Sequence, residues 1–253
     1  GGGDSGLEGA AVAGKAGLEV TVLEMEDRIL QRVTTPEMSE FYHELHTKRG
    51  VNILTNTTVT GFLGDEQVTG VQCEDRRIET DMVIVGIGIV PNVELAEDAG
   101  IDCDNGILVD DHCRTSAADI YAAGDCTNHP NPLLGRNLRL ESVPNAMEQA
   151  RVASVNMCGG DKVYAAIPWF WSDQYELKLQ MVGFSSDGNH QVLRGDKSIN
   201  QFAIFYLKDD KVVAVDAVNS PREFMVCKQL FGKPVDAARL ADPSVDLKEL
   251  IPA

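Results

Sequence analysis

Residues 1–14 read GGGDSGLEGAAVAG, and their glycine spacing decides the fold of the amino-terminal part of the chain. Gly1, Gly3 and Gly6 have the G-x-G-x-x-G pattern of a turn that lets the backbone come close to a pyrophosphate group. Such a turn normally follows a buried β-strand, which aims the loop at its ligand. No residue stands before Gly1 in this sequence, so we expect the turn to be present and its first strand to be missing.

The residues after the glycines continue the pattern of a dinucleotide-binding fold. LEGAAVAGKAG predicts a helix with small residues facing a sheet, and Gly17 predicts its end. LEVTVLE predicts a short strand ending at Glu24, about 20 residues beyond the turn, where such folds place an acid for a ribose. Together these elements predict an α/β fold with a Rossmann-like NAD-binding domain.

Glu24 favours NAD over NADP. Its carboxylate can accept hydrogen bonds from both ribose hydroxyls, and its charge would repel a 2′-phosphate. The neighbouring residue, Met25, offers no cation to attract that phosphate. The alternative is a solvated carboxylate at the end of a strand, with no role in binding.

Four further stretches complete the predicted NAD-binding domain, residues 1–92. Met38, Phe41, Tyr42 and Leu45 recur at helical spacing behind the start signal TTPE. VNIL predicts a strand, and TVTGFLG and QVTGVQCED predict an antiparallel hairpin. RIETDMVIVGIG predicts the continuation of that hairpin into a buried central strand.

Two more units follow along the chain. In residues 93–165, DIYAAGDC predicts a strand that delivers Gly124 and Asp125 at its carboxyl end, where open α/β sheets place ligands. A helix is predicted from about Pro144 onward. Residues 166–253 change to short alternating strands followed by the helix PREFMVCKQLF, a pattern typical of an α+β domain.

The charge distribution excludes nucleic acid as a partner. The net charge is −17, and residues 1–132 carry 8 Lys and Arg against 24 Asp and Glu, whereas residues 133–197 carry 7 of each. Nucleic-acid binding depends on an excess of Lys and Arg to neutralise phosphates.

No apolar run approaches the roughly 18 residues of a membrane span, so we expect no membrane segment.

The 6 cysteines show neither C-x-x-C nor zinc-ligand spacing. They are typical of buried or incidental thiols in a reducing compartment, so we expect a cytoplasmic protein. His43 and His46 share one helical pattern without a third ligand nearby, and we interpret them as surface or packing residues. The sequence therefore predicts no metal site.

Six stretches distributed from end to end carry a resemblance to a known family. They are GGGDSGLE, RVTTPEMSEFYHELH, GIGIVPN, DIYAAGDC, ESVPNAMEQAR and PWFWSDQYELKLQMVG. The chain resembles about the carboxyl-terminal three-fifths of a flavoprotein ferredoxin reductase, within the FAD-dependent pyridine nucleotide oxidoreductases. The resemblance implies that residues 93–165 are the remainder of an FAD-binding domain and that residues 166–253 are the reductases' carboxyl-terminal domain. A preceding FAD-binding segment would then be missing.

The resemblance also implies roles for individual residues. Gly1, Gly3 and Gly6 would hold the NAD pyrophosphate, and Glu24 would hold the adenosine ribose. Glu8 would bind the nicotinamide carboxamide. Gly86 would lie where the chain passes beneath the NAD. On the flavin side, Asp125 beside Gly124 would bind the ribityl chain. Val143 would meet the isoalloxazine ring through its backbone, and Trp171 would lie by the flavin edge, facing the electron acceptor.

The implied activity is transfer of electrons from NADH through FAD to a [2Fe–2S] ferredoxin that serves an oxygenase. No side chain need act as acid or base, because the flavin carries the chemistry. We expect the ferredoxin to dock near Arg151 and Trp171, although Arg151 would ordinarily be a solvated charge and Trp171 a packing residue. Two alternatives stay open, an NADH-dependent disulfide reductase on the same scaffold and a non-catalytic NAD-binding remnant.

One residue departs from the family pattern. Asp4 stands where relatives commonly carry an aromatic residue that gates the nicotinamide pocket. A Gly-Gly-Gly-Asp-Ser loop also occurs in thioredoxin reductases, so this loop is compatible with nucleotide binding. The departure puts aromatic gating in doubt.

Overall fold

The helix that follows the glycine turn forms where the sequence predicts it. The computed structural model describes residues 1–251, and helix α1 spans Asp4–Lys15. Gly17 has a φ of +83°, and the amide of Leu18 donates to the carbonyl oxygen of Ala13 at 3.2 Å. A glycine in the left-handed region, followed by an amide that donates to a carbonyl oxygen of the last turn, is a common way for a helix to end.

A parallel strand pair places Glu24 beside the glycine turn. Strand β1 (Thr21–Leu23) pairs with β2 (Asn52–Leu54), and helix α2 (Pro36–Lys48) lies between them in sequence, with Pro at its first turn. Parallel neighbours need such a crossover because the chain must return to the same end of the sheet. Glu24 follows β1 directly, and its amide donates to Leu54 at 2.9 Å.

The next three strands form an antiparallel sheet of β3 (Val59–Leu63), β4 (Gly70–Cys73) and β5 (Arg77–Glu79). The predicted central strand after β5 is wrong. Residues 81–90 contain no strand, and exposure reaches 75% at Ile87 and 86% at Val90. An apolar run becomes a strand only where a neighbour supplies its hydrogen bonds, and in residues 1–251 no strand pairs with this run.

The middle of the chain contains two helices and a small mixed sheet. Its elements, in order, are α3 (Glu94–Asp98), β6 (Ile107–Leu108), β7 (Thr127–Asn131), β8 (Arg136–Leu138) and α4 (Val143–Met157). β6 and β7 are parallel, whereas β7 and β8 are antiparallel. The helix predicted from about Pro144 is confirmed.

The predicted strand in DIYAAGDC is also wrong. Tyr121 makes a single bridge with Arg114, and Gly124 and Asp125 lie in a turn just before β7 rather than after a strand. The amide of Ala122 donates to Cys113 at 3.1 Å, so local pairing takes the place of a sheet ladder. Gly124 has a φ of +96°, which only glycine adopts without strain.

The carboxyl-terminal part folds as the predicted alternation of strands followed by a helix. The elements are β9 (Trp169–Gln174), β10 (Leu177–Gly183), β11 (His190–Asp196), β12 (Gln201–Lys208), β13 (Lys211–Val218), α5 (Pro221–Leu230) and α6 (Ala237–Ala241). The five strands form one sheet in the order β11-β12-β13-β10-β9, and β12 pairs antiparallel with both neighbours. Phe202 through Leu207 in β12 are all buried, as expected for a strand covered on both faces.

The chain divides into two compact units. Unit 1 comprises Gly1–Gly88, Trp171–Gln180 and Phe184–Ala253, and unit 2 comprises Ile89–Phe170 and Met181–Gly183. The glycine turn and most of the carboxyl-terminal sheet therefore belong to one unit. Among the described residues, no helix has the length and apolar character needed to cross a bilayer.

Candidate nucleotide-binding site

The glycine turn is folded so tightly that two of its glycines leave no space for a side chain. A Cβ on Gly6 would lie 1.8 Å from the carbonyl oxygen of Gly1, and a Cβ on Gly1 would lie 2.3 Å from that of Gly86. Gly86, from a separate stretch of sequence, is therefore packed against the turn. The structure brings Gly1, Gly6 and Gly86 together.

The open side of the turn is the start of helix α1. Gly3 is the N-cap and, because it has no side chain, makes no capping hydrogen bond to the first amides of the helix. A Cβ on Gly3 would meet nothing within 4 Å. Unsatisfied amides and the positive end of the helix dipole suit an anion such as pyrophosphate. The turn thus fits the phosphates of a dinucleotide.

Glu24 lies against the same turn. Its Oε2 accepts a hydrogen bond from the amide of Gly2 at 2.6 Å, and its Oε1 accepts one from the amide of Glu26 at 3.0 Å. The amide of Leu30 donates back to the carbonyl oxygen of Gly2 at 2.9 Å. Each carboxylate oxygen keeps a further lone pair, so the carboxylate can still accept from ribose hydroxyls.

Glu8 makes contacts that the sequence did not indicate. The hydroxyl of Ser172 donates to Glu8 Oε1 at 2.7 Å, and the amide of Asp173 donates to the same oxygen at 3.1 Å. Ser172 and Asp173 belong to β9, the strand that also carries Trp171. These contacts within unit 1 fix the carboxylate of Glu8 on one oxygen.

Asp4 begins α1 and carries a carboxyl group in an unusual state. Its Oδ1 is shielded from solvent and has no hydrogen-bond partner within residues 1–251. Burial, followed by the nearby charges of Glu8 and Asp216, raises the pKa of Asp4 to about 7. An acid at this position therefore changes charge near neutral pH, at the entrance to the glycine turn.

Asp216 on β13 is a second buried acid in unit 1. It is 2% exposed, and its Oδ2 accepts hydrogen bonds from the hydroxyls of Thr34 and, at 2.7 Å, Tyr206. Burial raises the pKa of Asp216 to about 6, although both hydroxyls partly offset that effect. Tyr42 lies near both acids, and burial raises its pKa far above the usual range.

The flavin-side residues lie in unit 2, where a buried glutamine organises them. Gln149 Oε1 accepts hydrogen bonds from the amide of Gly124 at 2.7 Å and from the hydroxyl of Thr127 at 2.8 Å. Gln149 is on α4 and is fully buried. It therefore connects the two predicted motifs, DIYAAGDC and ESVPNAMEQAR, through side-chain contacts that no sequence periodicity indicates.

Asp125 and Val143 are both accessible to a ligand in unit 2. Asp125 is exposed in the turn before β7. Val143 is 57% exposed at the first turn of α4, where Ser142 caps the helix by accepting from the amide of Asn145 at 3.3 Å. A free carboxylate and an accessible helix start fit the polar parts of a flavin cofactor.

Arg151, which is expected near the ferredoxin, has an acidic neighbour. It pairs with Glu148 on α4, and Arg139, also in unit 2, pairs with Glu141 at 2.8 Å. In unit 1, Lys178 pairs with Asp173 at 2.9 Å, and Trp171 is 37% exposed. Each of these cations is thus partly neutralised by an adjacent carboxylate.

Two family models match the chain. Residues 1–150 match the pyridine nucleotide-disulphide oxidoreductase model, and residues 169–251 match the reductase C-terminal model. The chain belongs to the pyridine nucleotide-disulphide oxidoreductase family. The family predicted from the motifs is therefore confirmed, and so is the α/β fold class with a carboxyl-terminal reductase domain.

Similar members of this family are ferredoxin reductases. Putidaredoxin reductase from Pseudomonas putida is 48% identical over 259 residues, and the match covers 100% of this chain but 61% of that protein. The crystal structure of the ferredoxin reductase for the CYP199A2 system from Rhodopseudomonas palustris superposes with a TM-score of 0.95 at 37% identity, covering 100% of this chain and 63% of that one.

A third match is the crystal structure of a covalent putidaredoxin reductase–putidaredoxin complex. It superposes with a TM-score of 0.94 at 48% identity, and the match covers 99% of this chain and 62% of that one. The chain therefore spans somewhat less than two thirds of the length of the relatives that it matches.

The thiols of this family member do not form a redox pair in the structure. All six cysteines are unbonded, and Cys73, Cys113 and Cys227 are buried. Burial, reinforced by nearby carboxylates, raises the pKa of the Cys113 thiol to about 11, which keeps it protonated and unreactive. Residues 110–112 group two carboxylates with His112, and those acids are exposed or half-exposed.

Proposed function

We propose that the chain is the NADH-binding and ferredoxin-facing portion of a flavoprotein reductase that supplies an oxygenase with electrons. The observation that carries the proposal is the closed turn at Gly1, Gly6 and Gly86, which leaves the start of α1 open beside Glu24. The relatives named as ferredoxin reductases support it.

The nicotinamide cofactor is held by backbone and by two carboxylates in this proposal. The amides at the start of α1 bind the pyrophosphate, and the close glycine contacts let the ligand approach the main chain. Glu24 accepts from the adenosine ribose. Glu8, fixed by Ser172 and Asp173, receives the carboxamide. The chain thus binds and orients the nicotinamide.

FAD is the second cofactor in the proposal. When bound, it supplies the step from a two-electron donor to a one-electron acceptor. In unit 2, Asp125 would hold its ribityl chain, and the backbone at Val143 would meet the ring. The turn at Gly124 keeps Asp125 in position, because Gln149 Oε1 accepts a hydrogen bond from the amide of Gly124. No side chain of the chain is assigned an acid–base role.

A [2Fe–2S] ferredoxin is the proposed acceptor. One solved relative is a complex of putidaredoxin reductase with putidaredoxin, which supports a ferredoxin partner. We propose that Trp171 in unit 1 and Arg151 in unit 2 each contribute to docking, to be tested one at a time. A cytoplasmic location stays a prediction.

Binding of nucleotides to the 253-residue chain tests the first part of the proposal. Titration calorimetry with NADH and NADPH should show a preference for NADH, because a 2′-phosphate next to the Glu24 carboxylate costs about 1–3 kcal/mol, or about 5- to 150-fold in affinity. Glu24→Gln should reduce that preference, whereas Glu26→Gln is the matched control. Equal affinity for the two nucleotides would contradict the NADH assignment.

Electron transfer tests the second part. In a chimera, the residues of putidaredoxin reductase that lie outside the match complete the chain. This protein should bind flavin, shown by the visible absorbance of the purified protein, and should reduce putidaredoxin with NADH. Nucleotide binding without any ferredoxin reduction would favour the NAD-binding remnant. Reduction of a small disulfide instead of the ferredoxin would favour the disulfide reductase.

A further inference from the structure

A chain of buried hydrogen bonds in unit 1 ends on Glu8. His46 Nε2 lies 2.9 Å from Gln174 Oε1, Gln174 Nε2 donates to Ser172 Oγ at 3.1 Å, and Ser172 Oγ donates to Glu8 Oε1 at 2.7 Å. His46, Gln174 and Ser172 are each 0% exposed. Buried polar groups are usually hydrogen-bonded, and each of these three side chains makes at least one such bond.

The donors in this chain all point toward the carboxylate. Since the carbonyl oxygen of Gln174 only accepts, His46 must carry its proton on Nε2. Burial lowers the pKa of His46, so the ring is neutral at pH 7 and keeps this tautomer. The amide of Gln174 and the hydroxyl of Ser172 then donate in turn. The direction of the chain is therefore set by His46 and ends at Glu8.

The two oxygens of Glu8 have different surroundings. Oε1 accepts from both Ser172 and the amide of Asp173. Oε2 accepts no hydrogen bond from residues 1–251. It is not one of the buried atoms that lack a partner, so it is accessible to solvent. The carboxylate is therefore held by one oxygen and presents the other, an arrangement that suits a ligand group with an N–H donor.

We propose that Ser172, supported by Gln174 and His46, is a positioning residue that fixes Glu8 Oε2 for the carboxamide N–H of a nicotinamide ring. This inference rests on the proposed function, since it takes the nicotinamide end of the cofactor to lie at Glu8. Ser172 acts through Glu8 and does not touch the ligand itself. A carboxylate fixed before binding loses less rotational freedom when the ligand arrives.

The test compares two ligands on the 253-residue chain by titration calorimetry. NADH carries the nicotinamide ring, whereas ADP-ribose shares its adenosine, pyrophosphate and second ribose but lacks the ring. Ser172→Ala should weaken NADH about 3- to 10-fold and leave ADP-ribose unchanged. Ser172→Thr, which keeps the hydroxyl, should bind NADH with an affinity close to that of the unmodified chain. Ser154→Ala removes an exposed hydroxyl of unit 2 and is the matched control.

A double-mutant cycle with Glu8→Gln separates positioning from a purely structural role. If Ser172 acts through Glu8, Ser172→Ala should have no further effect on NADH in the Glu8→Gln background. Ser172→Cys preserves the side-chain volume with a weaker donor, and it gives the same comparison should the alanine variant not fold. Circular dichroism and the melting temperature report folding for each variant.

Each outcome of this experiment decides the inference. Equal weakening of NADH and ADP-ribose, or no change in either, would overturn it while leaving nucleotide binding intact. An additive effect in the Glu8→Gln background would overturn it as well. Failure of the unmodified chain to bind either ligand would instead overturn the proposed function, and the inference with it.

Discussion

Replacing Asp4 by asparagine should make the free energy of unfolding of the chain less dependent on pH. Asp4 has a pKa of about 7 in the folded chain, against an ordinary value of 3.8, because burial and the charges of Glu8 and Asp216 disfavour its ionised form. The folded state therefore holds a proton that the unfolded state has released. The contribution of Asp4 to stability falls as pH rises from about 4 to about 7, and that contribution is constant above this range.

The size of the effect follows from the pKa difference. Three pKa units correspond to about 4 kcal/mol as an upper limit. The positive end of the α1 dipole favours the ionised acid by about 0.3–1 kcal/mol, which opposes but does not cancel the burial effect. We therefore expect Asp4→Asn to raise the free energy of unfolding by about 1–3 kcal/mol at pH 8 and to leave that free energy nearly unchanged at pH 4.

Urea unfolding followed by circular dichroism at pH 4, 6 and 8 would measure this difference. Hydrogen exchange of the α1 amides would place it in unit 1. Asp81→Asn, which removes one exposed charge from a chain of net charge −17, controls for the general effect of charge. Parallel pH profiles for Asp4→Asn and the unmodified chain would refute the reasoning, as would a variant that is less stable at pH 8.

Three other perturbations follow from the structure. Gly6→Ala should abolish NADH binding, measured by calorimetry, because its Cβ would lie 1.8 Å from a carbonyl oxygen, whereas Gly61→Ala in β3, with nothing within 4 Å, should bind normally. Arg194→Lys should lower the free energy of unfolding by about 2–4 kcal/mol, because the buried guanidinium donates to four backbone carbonyls. In the chimera, Arg151→Glu should slow ferredoxin reduction severalfold, more at low salt, and leave dye reduction unchanged.

Each of these has a matched comparison. If the Gly6→Ala variant bound NADH with full affinity, the turn could open to accept a Cβ without weakening nucleotide binding. Arg222→Lys alters an exposed ion pair with Asp246 and should change stability much less than Arg194→Lys. Ferredoxin and dye rates that fall together for Arg151→Glu would mean that Arg151 supports the fold or the flavin, in keeping with its pairing to Glu148.

Local sequence patterns predicted the parts of the fold that depend on local contacts. The glycine spacing, the helix that follows it and the strand before Glu24 all lie within the first 24 residues, so their geometry is determined by neighbours in sequence. The alternation in residues 169–218 likewise predicted five strands that the structure contains. In both regions, turn residues and periodicity carry enough information to place an element.

The same reasoning was wrong where an element depends on a distant neighbour. The apolar run in residues 81–90 has the composition of a buried strand but has no partner strand in residues 1–251. Residues 119–124 pair locally instead of entering a sheet. The contact of Glu8 with Ser172 joins residues 164 positions apart, and no periodicity relates two such positions. Burial of Asp4 and Asp216 is likewise a tertiary property.

The connection between the nucleotide turn and β9 and β13 is polar rather than purely apolar, and this has a consequence for function. Glu8 bonds to Ser172, Thr34 to Asp216, and His46 to Gln174, so three separate hydrogen bonds join residues 1–48 to β9 and β13. Apolar contacts alone tolerate small shifts of register, but directional bonds between buried groups are lost when a strand moves by even one residue. The position of Glu8, and with it the proposed nicotinamide end of the site, is therefore specified by the same strand that carries Trp171.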